Sequence, residues 1–180
     1  MKGMFILIAI LAITLSSAKA QKIYSTKTGK ISFFSSAPLE DIEAKNNEVE
    51  SKLASSNGQV VFILLMKGFR FENELMEEHF NENYVESNKF PKSDFKGVIA
   101  NVKDINFSKD GRYAAIVKGN LTIHGITHAA EANGTVEVRG GKVAVNSKFN
   151  IRLKDYGIGG SLIGKKIADN IAITVDCQYE

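Results

Sequence analysis

Three histidines, at positions 79, 124 and 128, are the residues of this sequence that suggest metal binding or acid–base chemistry. His79 lies in the stretch 75–97, LMEEHFNENYVESNKFPKSDFKG, which places carboxylates near it at Glu77, Glu78, Glu82, Glu86 and Asp94. If the start of this stretch is helical, one face carries Leu75, Met76, His79 and Phe80, and most of the acids lie on the other face. We therefore predict an amphipathic helix over Glu74–Glu82 that lies over one end or flank of the domain. A metal site at His79 is the less favoured alternative.

The other two histidines flank Gly125 in the sequence TIHGITH. The β-branched residues around them favour a strand, in which positions 124 and 128 are ~13 Å apart. A zinc ion bonds its ligands at ~2 Å, so an unbroken strand cannot bring both rings to one ion. We predict that His124 is a hydrogen-bonded structural residue. The alternative, a more specific role, is a contact to a ligand headgroup. His128 is predicted to be a surface residue.

The remaining reactive residues form no recognisable catalytic group. Cys177 is the one cysteine, which excludes an intramolecular disulfide, and its place on the apolar face of a strand predicts a buried core residue. The stretch 159–166, GGSLIGKK, resembles a phosphate-binding loop but has Lys166 where that loop needs Ser or Thr. We expect neither an enzyme nor a cofactor. An enzyme or metal protein that uses His79 and His124 is the weakest alternative.

The first 20 residues have the pattern of a secretory signal peptide. Lys2 precedes the apolar run Met4–Leu15, and Ala18-Lys19-Ala20 supplies small residues for cleavage. The apolar run is too short to span a bilayer core of ~30 Å. We expect cleavage after Ala20, a single domain over residues 21–180, and a periplasmic or secreted location.

The charge of the expected mature chain is close to zero. Without Lys2 and Lys19, the 23 basic residues fall to 21, against 20 acidic residues. Proteins that bind nucleic acid usually present a clustered basic face. We therefore expect no nucleic-acid partner.

Glycine dipeptides between β-rich runs predict the turns of the fold. Asn57-Gly58, Asp110-Gly111 and Gly140-Gly141 each suit a two-residue hairpin, whose central residues need positive φ. Pairing Arg139 with Lys142 across the third turn places Val138 opposite Val143 and Val136 opposite Val145. Both partner strands then direct apolar residues to the same side.

Alternation of apolar and polar residues predicts eight strands, at residues 22–36, 47–56, 59–70, 94–107, 112–126, 129–139, 142–154 and 169–179. The Asn133-Gly134 step inside one of them predicts a bulge or an additional turn. A second short helix is predicted around Leu39–Asn46. The sequential strand order favours an all-β, up-and-down antiparallel barrel, because closure removes the sheet edges.

The run Val60–Met66, VVFILLM, is apolar on both faces of its strand. Such a run is expected where one face meets the barrel interior and the other is covered, here by a helix. With 11 Phe and no Trp, the composition permits an apolar pocket. A barrel filled by its own side chains is the alternative.

Three motifs together carry a family resemblance: the stretch 75–97 quoted above, GNLTIHGITH at 119–128 and FNIRLKDYGI at 149–158. They resemble the YceI-like family of exported bacterial lipid- or polyisoprenoid-binding domains, and the similarity covers nearly all of residues 21–180. The resemblance implies a lipocalin-like, eight-stranded antiparallel barrel with one or two short helices. It also implies a long apolar cavity that accepts an isoprenoid tail.

On this basis we expect a periplasmic carrier that sequesters an isoprenoid-like or other long-chain lipid. The residues predicted to contact this ligand are Phe33, Phe62, Leu64, Phe69, Phe71, Leu75, Met76, His79, Phe80, Phe90, Phe95 and His124. Lipid exchange would involve peripheral contact with a membrane, and a homodimer would cover an open entrance. The alternative is a stress-related structural or interaction protein with a filled barrel that binds a protein partner.

Overall fold

The computed structural model describes residues 22–180, so the predicted signal peptide at residues 1–20 lies outside the described residues. The strands are β1 (Ile23–Ser36), β2 (Asp41–Ala54), β3 (Gln59–Leu65), β4 (Arg70–Phe71), β5 (Lys92–Ile99), β6 (Gly111–Ile123), β7 (Ile126–Arg139), β8 (Lys142–Arg152) and β9 (Asn170–Tyr179). The helix α1 (Glu74–His79) lies between β4 and β5. Within residues 22–180, no helix is long and apolar enough to cross a membrane.

Eight of the strands close into an antiparallel barrel. Neighbours follow the order β1-β9-β8-β7-β6-β5-β3-β2, and β1 pairs with β2 to complete the circle. The short β4 adds to β2 through the pairs Ala44↔Phe71 and Lys45↔Arg70. The predicted all-β, eight-stranded antiparallel barrel is therefore confirmed.

Two hairpin turns have the left-handed backbone that a two-residue turn requires. Gly140 and Gly141 have φ of 56° and 77°, and the register around them, Arg139↔Lys142 and Val136↔Val145, is the predicted one. The turn between β6 and β7 consists of His124 and Gly125, with φ of 52° and 74°. It lies three residues before the predicted strand break at 127–128, because β7 begins at Ile126.

The other two glycine dipeptides do not form two-residue hairpins. Four residues, 55–58, connect β2 to β3. Residues 100–110 connect β5 to β6, and the Asp110 carboxylate accepts a hydrogen bond from the Gly140 N–H at 2.9 Å. Asn133-Gly134 is neither a bulge nor a turn, because Gly134 pairs with Ala115 in an unbroken register.

The predicted helix at Leu39–Asn46 is wrong, because Asp41–Asn46 belongs to β2. Ala44 pairs with Phe33 on one side and with Phe71 on the other, and Asn46 is fully buried. The Asn46 amide donates a hydrogen bond to the Leu65 carbonyl at 2.9 Å. Strand pairing and burial therefore outweigh the local helix preference of this polar stretch.

The two ends of the barrel differ in packing. One end is filled by side chains from every long strand, including Tyr24, Leu53, Val136 and Tyr179, which are all at most 2% exposed. The 100–110 connection adds Ile105 and Phe107 to this core, and the Phe107 ring stacks on Tyr24 with 5.8 Å between centroids. We call this the filled end. The opposite end, where α1 lies, encloses a cavity, and we call it the open end.

The run Val60–Met66 turns alternate residues into the barrel. Leu64 and Met66 are buried, whereas Ile63 and Leu65 on the other face are exposed. The prediction that a helix covers this second face is wrong, because α1 lies over the end of the barrel instead.

Candidate functional site

The open end contains an apolar cavity of about 500 Å³. Ten of the twelve residues predicted to contact a ligand line it: Phe33, Phe62, Leu64, Phe69, Phe71, Leu75, Met76, His79, Phe80 and Phe95. Ligand pockets typically have ~300–1,000 Å³ and predominantly apolar walls. The cavity fits that description, and a barrel filled throughout by its own side chains is not what the structure shows.

Four phenylalanines form an aromatic cluster at the end of the cavity beneath α1. Phe33, Phe69, Phe71 and Phe80 pack in tilted and edge-to-face pairs with centroids 5.1 to 5.7 Å apart. These are the separations that aromatic pairs favour. Phe80 comes from the helical segment and the other three from the barrel wall and the β3–β4 connection. The cluster therefore holds α1 over the cavity.

Polar contacts at its start position the helical segment. The Asn73 side chain accepts hydrogen bonds from the N–H groups of Leu75 and Met76, which starts α1. Glu77 binds Arg70 at 3.0 Å and also accepts from the Phe71 N–H at 3.2 Å. The segment then widens into a π-helical turn, Phe80–Tyr84, in which the Val85 N–H donates to the Phe80 carbonyl at 3.0 Å.

One opening of the cavity lies between α1, the β1–β2 loop and the loop 157–169. Leu75 and Leu162 line the cavity there and are 57% and 41% exposed. Leu39 is 70% exposed, and its N–H donates to the Lys165 carbonyl at 3.3 Å, which places it beside the same loop. We call this opening the mouth. Its charged residues are Glu40 and Lys166, whose side chains lie 4.0 Å apart.

Phe90 and His124 do not line the cavity, so the structure does not place them with the other ten. The two rings pack edge to face, 4.5 Å between centroids, at the β6–β7 turn. His124 Nδ1 lies 3.1 Å from the Tyr156 carbonyl and Nε2 lies 2.7 Å from Glu86 Oε2. Both partners accept hydrogen bonds, so the ring satisfies both at once when each nitrogen carries a proton. This geometry fits the structural role predicted for His124.

The predicted contacts include Leu64 and Leu75 but leave out most of the aliphatic lining. It is formed by alternate residues of the barrel strands and by the loops above them, and includes Ile31, Leu121, Ile151, Ile171 and Ile173. The shared face of Phe149 and Ile151 was visible in the sequence as alternation. Alternation alone does not say which face of a strand is inside.

A model of the YceI-like domain matches residues 16–179, which is almost the whole sequence. The chain belongs to the YceI-like family. This YceI-like protein also resembles solved structures over most of its length, and these likenesses show the fold alone because the identities are low. No match was found among curated proteins.

Three of those structures illustrate the range of sequence identity, TM-score and coverage. A polyisoprenoid binding domain from Saccharophagus degradans, implicated in plant cell wall breakdown, is 10% identical, with a TM-score of 0.77 over 89% of this chain and 98% of that one. BcnA of Burkholderia cenocepacia is 15% identical, with a TM-score of 0.70 over 84% and 96%. A YCEI protein of Campylobacter jejuni is 13% identical, with a TM-score of 0.61 over 81% and 88%.

The reactive groups of this YceI-like protein lie away from the cavity or apart from one another. Cys177 is fully buried in the core of the filled end, as predicted, and burial raises the pKa of its thiol to about 11. Within residues 22–180, no three His, Cys, Asp or Glu side chains are grouped to hold a metal ion. His128 is exposed, and its Nε2 lies 2.7 Å from the Asp155 carbonyl.

Proposed function

We propose that this protein binds an isoprenoid-like or other long-chain lipid in its cavity and acts as a carrier or sequestering protein. The observation that carries the proposal is the cavity of about 500 Å³ with walls of Phe, Leu, Ile and Val side chains. Each CH₂ group transferred from water into such a site contributes ~0.8 kcal/mol before the costs of immobilisation. Membership of the YceI-like family, and the polyisoprenoid binding domain among its structural neighbours, support this choice of ligand class.

Native mass spectrometry of the protein, purified from its own cells without detergent, tests the proposal directly. A discrete adduct that fragments as an isoprenoid or another long-chain lipid is the expected result. The mass of the protein alone, unchanged after incubation with polyprenyl lipids, would contradict the proposal. That result would favour the alternative of a protein partner.

The Phe80→Asp variant tests whether the cavity is the binding site. Phe80 is half-buried in the aromatic cluster, so a carboxylate there would have to be desolvated whenever lipid is bound. We expect lipid uptake to fall by at least about a hundredfold, or ~2.7 kcal/mol, with an unchanged β-type circular dichroism spectrum. Asn83→Asp is the matched control, because Asn83 is exposed on the same segment and does not line the cavity. Equal uptake by the two variants would place the lipid elsewhere.

The proposal includes export. Residues 1–20 have the pattern of a signal peptide, and a carrier of lipids would act between membranes or at their surface. Amino-terminal sequencing of the protein from the periplasmic fraction should begin at Gln21. An intact Met1 in a cytoplasmic fraction would refute the export part of the proposal alone.

A further inference from the structure

The barrel wall is split between β7 and β8 along half of their length. These strands pair from Arg139↔Lys142 as far as Gly134↔Ser147. Beyond that point, no pairing joins 126–133 of β7 to 148–152 of β8 in the described part of the chain. Over the same residues β7 stays paired with β6, and β8 stays paired with β9. We call this split the side opening.

The side opening leads into the cavity. Along the inward face of β7, Val136 is 0% exposed, Ala132 and Ala130 are half-buried, and Ile126 is 38% exposed. Glu131 lies between Ala130 and Ala132, binds Lys118 at 3.1 Å and lines the cavity with them. The cavity therefore extends to the edge of β7 at these residues. From β8, the lining residues beside the split are Ser147, Phe149 and Ile151.

Side-chain contacts bridge the side opening at both of its ends. They limit its length to the unpaired residues between them. Next to the last β7–β8 pair, Ser147 Oγ donates to the Asn133 carbonyl at 2.9 Å. At the other end, the rings of His124 and His128 contact the carbonyl groups of Tyr156 and Asp155, at 3.1 and 2.7 Å. Both carbonyl groups belong to the short helical turn Leu153–Tyr156, which follows β8 in the chain.

The rim of the side opening is polar because it consists of strand edges. In an antiparallel sheet, alternate residues direct both N–H and C=O toward the same neighbour. The groups of β7 and β8 that face each other across the split have no strand partner, and they need hydrogen bonds from another source. A hydrocarbon chain cannot supply these bonds, whereas oxygen atoms can. The mouth differs, because the exposed side chains of Leu39, Leu75 and Leu162 surround it and its two charged residues, Glu40 and Lys166, lie 4.0 Å from each other.

We propose that the side opening binds the oxygen-bearing headgroup of the lipid, a hydroxyl or a phosphate. The chain then extends from it through the cavity toward the aromatic cluster and the mouth. The backbone N–H groups at the edges of β7 and β8 donate to the headgroup oxygens, and the small side chains of Ala130 and Ala132 leave room for it. This inference rests on the proposed lipid-binding function and assigns the orientation of the ligand within it.

Photoreactive probes measure this orientation directly. Farnesol and farnesyl phosphate are each prepared in two forms, with a diazirine beside the oxygen or at the far end of the chain. After irradiation with the protein, peptide mapping identifies the labelled residues. We expect the headgroup-side probes to label 129–133 and 147–151, and the chain-end probes to label 69–80. Of farnesol and farnesyl phosphate, the compound that competes better for these labels shows whether the preferred headgroup is the hydroxyl or the phosphate.

Two outcomes would overturn the inference. Headgroup-side labels at the mouth, in 39–42 or 162–167, would reverse the orientation while leaving lipid binding intact. Absence of any label in the cavity from all probes would refute both the orientation and the proposed function. The two failures are therefore distinguishable.

A matched pair of variants tests the same inference without probes. Ala132→Phe places a ring in the side opening, whereas Ala129→Phe places one on the exposed outer face of the same strand. The wild type should bind farnesol at least about tenfold more tightly than the hydrocarbon farnesene, because farnesene has no oxygen. Ala132→Phe should abolish this preference and Ala129→Phe should keep it. A wild type that binds both equally, or a preference unchanged in Ala132→Phe, contradicts the proposal.

Discussion

At the scale of single residues, a buried chain of hydrogen bonds ties β9 to β2 and β3 in the filled end. Ser51 Oγ donates to the Val61 carbonyl at 2.8 Å, which leaves the Tyr179 hydroxyl to donate to Ser51 Oγ at 2.7 Å. Burial raises the pKa of Tyr179, so this phenol keeps the proton that it donates. Three strands therefore depend on one serine hydroxyl.

The direction of these hydrogen bonds predicts which substitution lowers the free energy of unfolding more. Tyr179→Phe removes one donor and leaves Ser51 bonded to Val61, so we expect the free energy of unfolding to fall by about 1 kcal/mol. Ser51→Ala removes the bond to the Val61 carbonyl and leaves the buried Tyr179 hydroxyl without a partner, and should cost about 2–3 kcal/mol. Urea unfolding of the two variants measures the difference. A larger loss for Tyr179→Phe would show that the hydroxyl groups donate in the opposite direction.

Residue types near the motifs predicted most of the aromatic lining, and the reason is physical. Phe69, Phe71 and Phe80 lie close together in sequence, and large apolar side chains around one short helix have few places to be buried. Ile171 and Ile173 could not be assigned in the same way, because they come from a distant strand whose inner face depends on barrel closure. Phe90, which was also predicted to contact a ligand, packs against His124 outside the cavity, and its apolar character fits that position equally well.

At the scale of elements, the sequence predicted strands better than their connections. Gly140-Gly141 fixes its own turn through backbone conformation, so its register followed from local chemistry alone. The β6–β7 turn was missed because His124 has a positive φ that its residue type does not demand; contacts with Glu86, Phe90 and Tyr156 hold it there. Asp41–Asn46 is strand rather than helix for a comparable reason, since Ala44 in its middle pairs with Phe33 and Phe71.

Three glycine-to-alanine substitutions separate backbone strain from crowding at the turns. At Gly159 an added Cβ meets nothing within 4 Å and φ is ordinary, so we expect a change within about 0.5 kcal/mol. At Gly140 the space is also free but φ is +56°, and the cost should be about 1 kcal/mol. At Gly125 φ is +74° and the Cβ would lie 2.6 Å from the Phe90 ring, so the loss should be the largest, about 2 kcal/mol or more.

Urea unfolding of these three variants gives the order directly. Equal losses at Gly125 and Gly140 would show that the Phe90 ring moves away without cost. Because that ring also packs against His124, such a result would mean that the contacts around the β6–β7 turn are loose.

At the scale of the whole molecule, stability and binding are divided between the two ends of one barrel. The filled end carries the side chains that exclude water most completely, and the open end leaves about 500 Å³ between its walls. Apolar side chains that line a cavity make fewer van der Waals contacts than closely packed ones. They therefore contribute less to the free energy of unfolding. The open end therefore gives up stability that a bound lipid can restore, since a ligand stabilises the state that binds it.

A substitution that fills part of the cavity should reverse this balance. Ile173 is half-buried and lines the cavity next to Phe33 and Phe149, with which it pairs. For Ile173→Phe we expect the free energy of unfolding without lipid to rise by up to about 1 kcal/mol, and farnesol affinity to fall at least about tenfold. Ile116→Phe is the matched control, because Ile116 is 37% exposed and lies outside the cavity lining, and it should change neither quantity appreciably. Thermal unfolding with and without farnesol measures both effects. A variant that loses stability yet keeps its farnesol affinity would show that the ring does not enter the space that the lipid occupies.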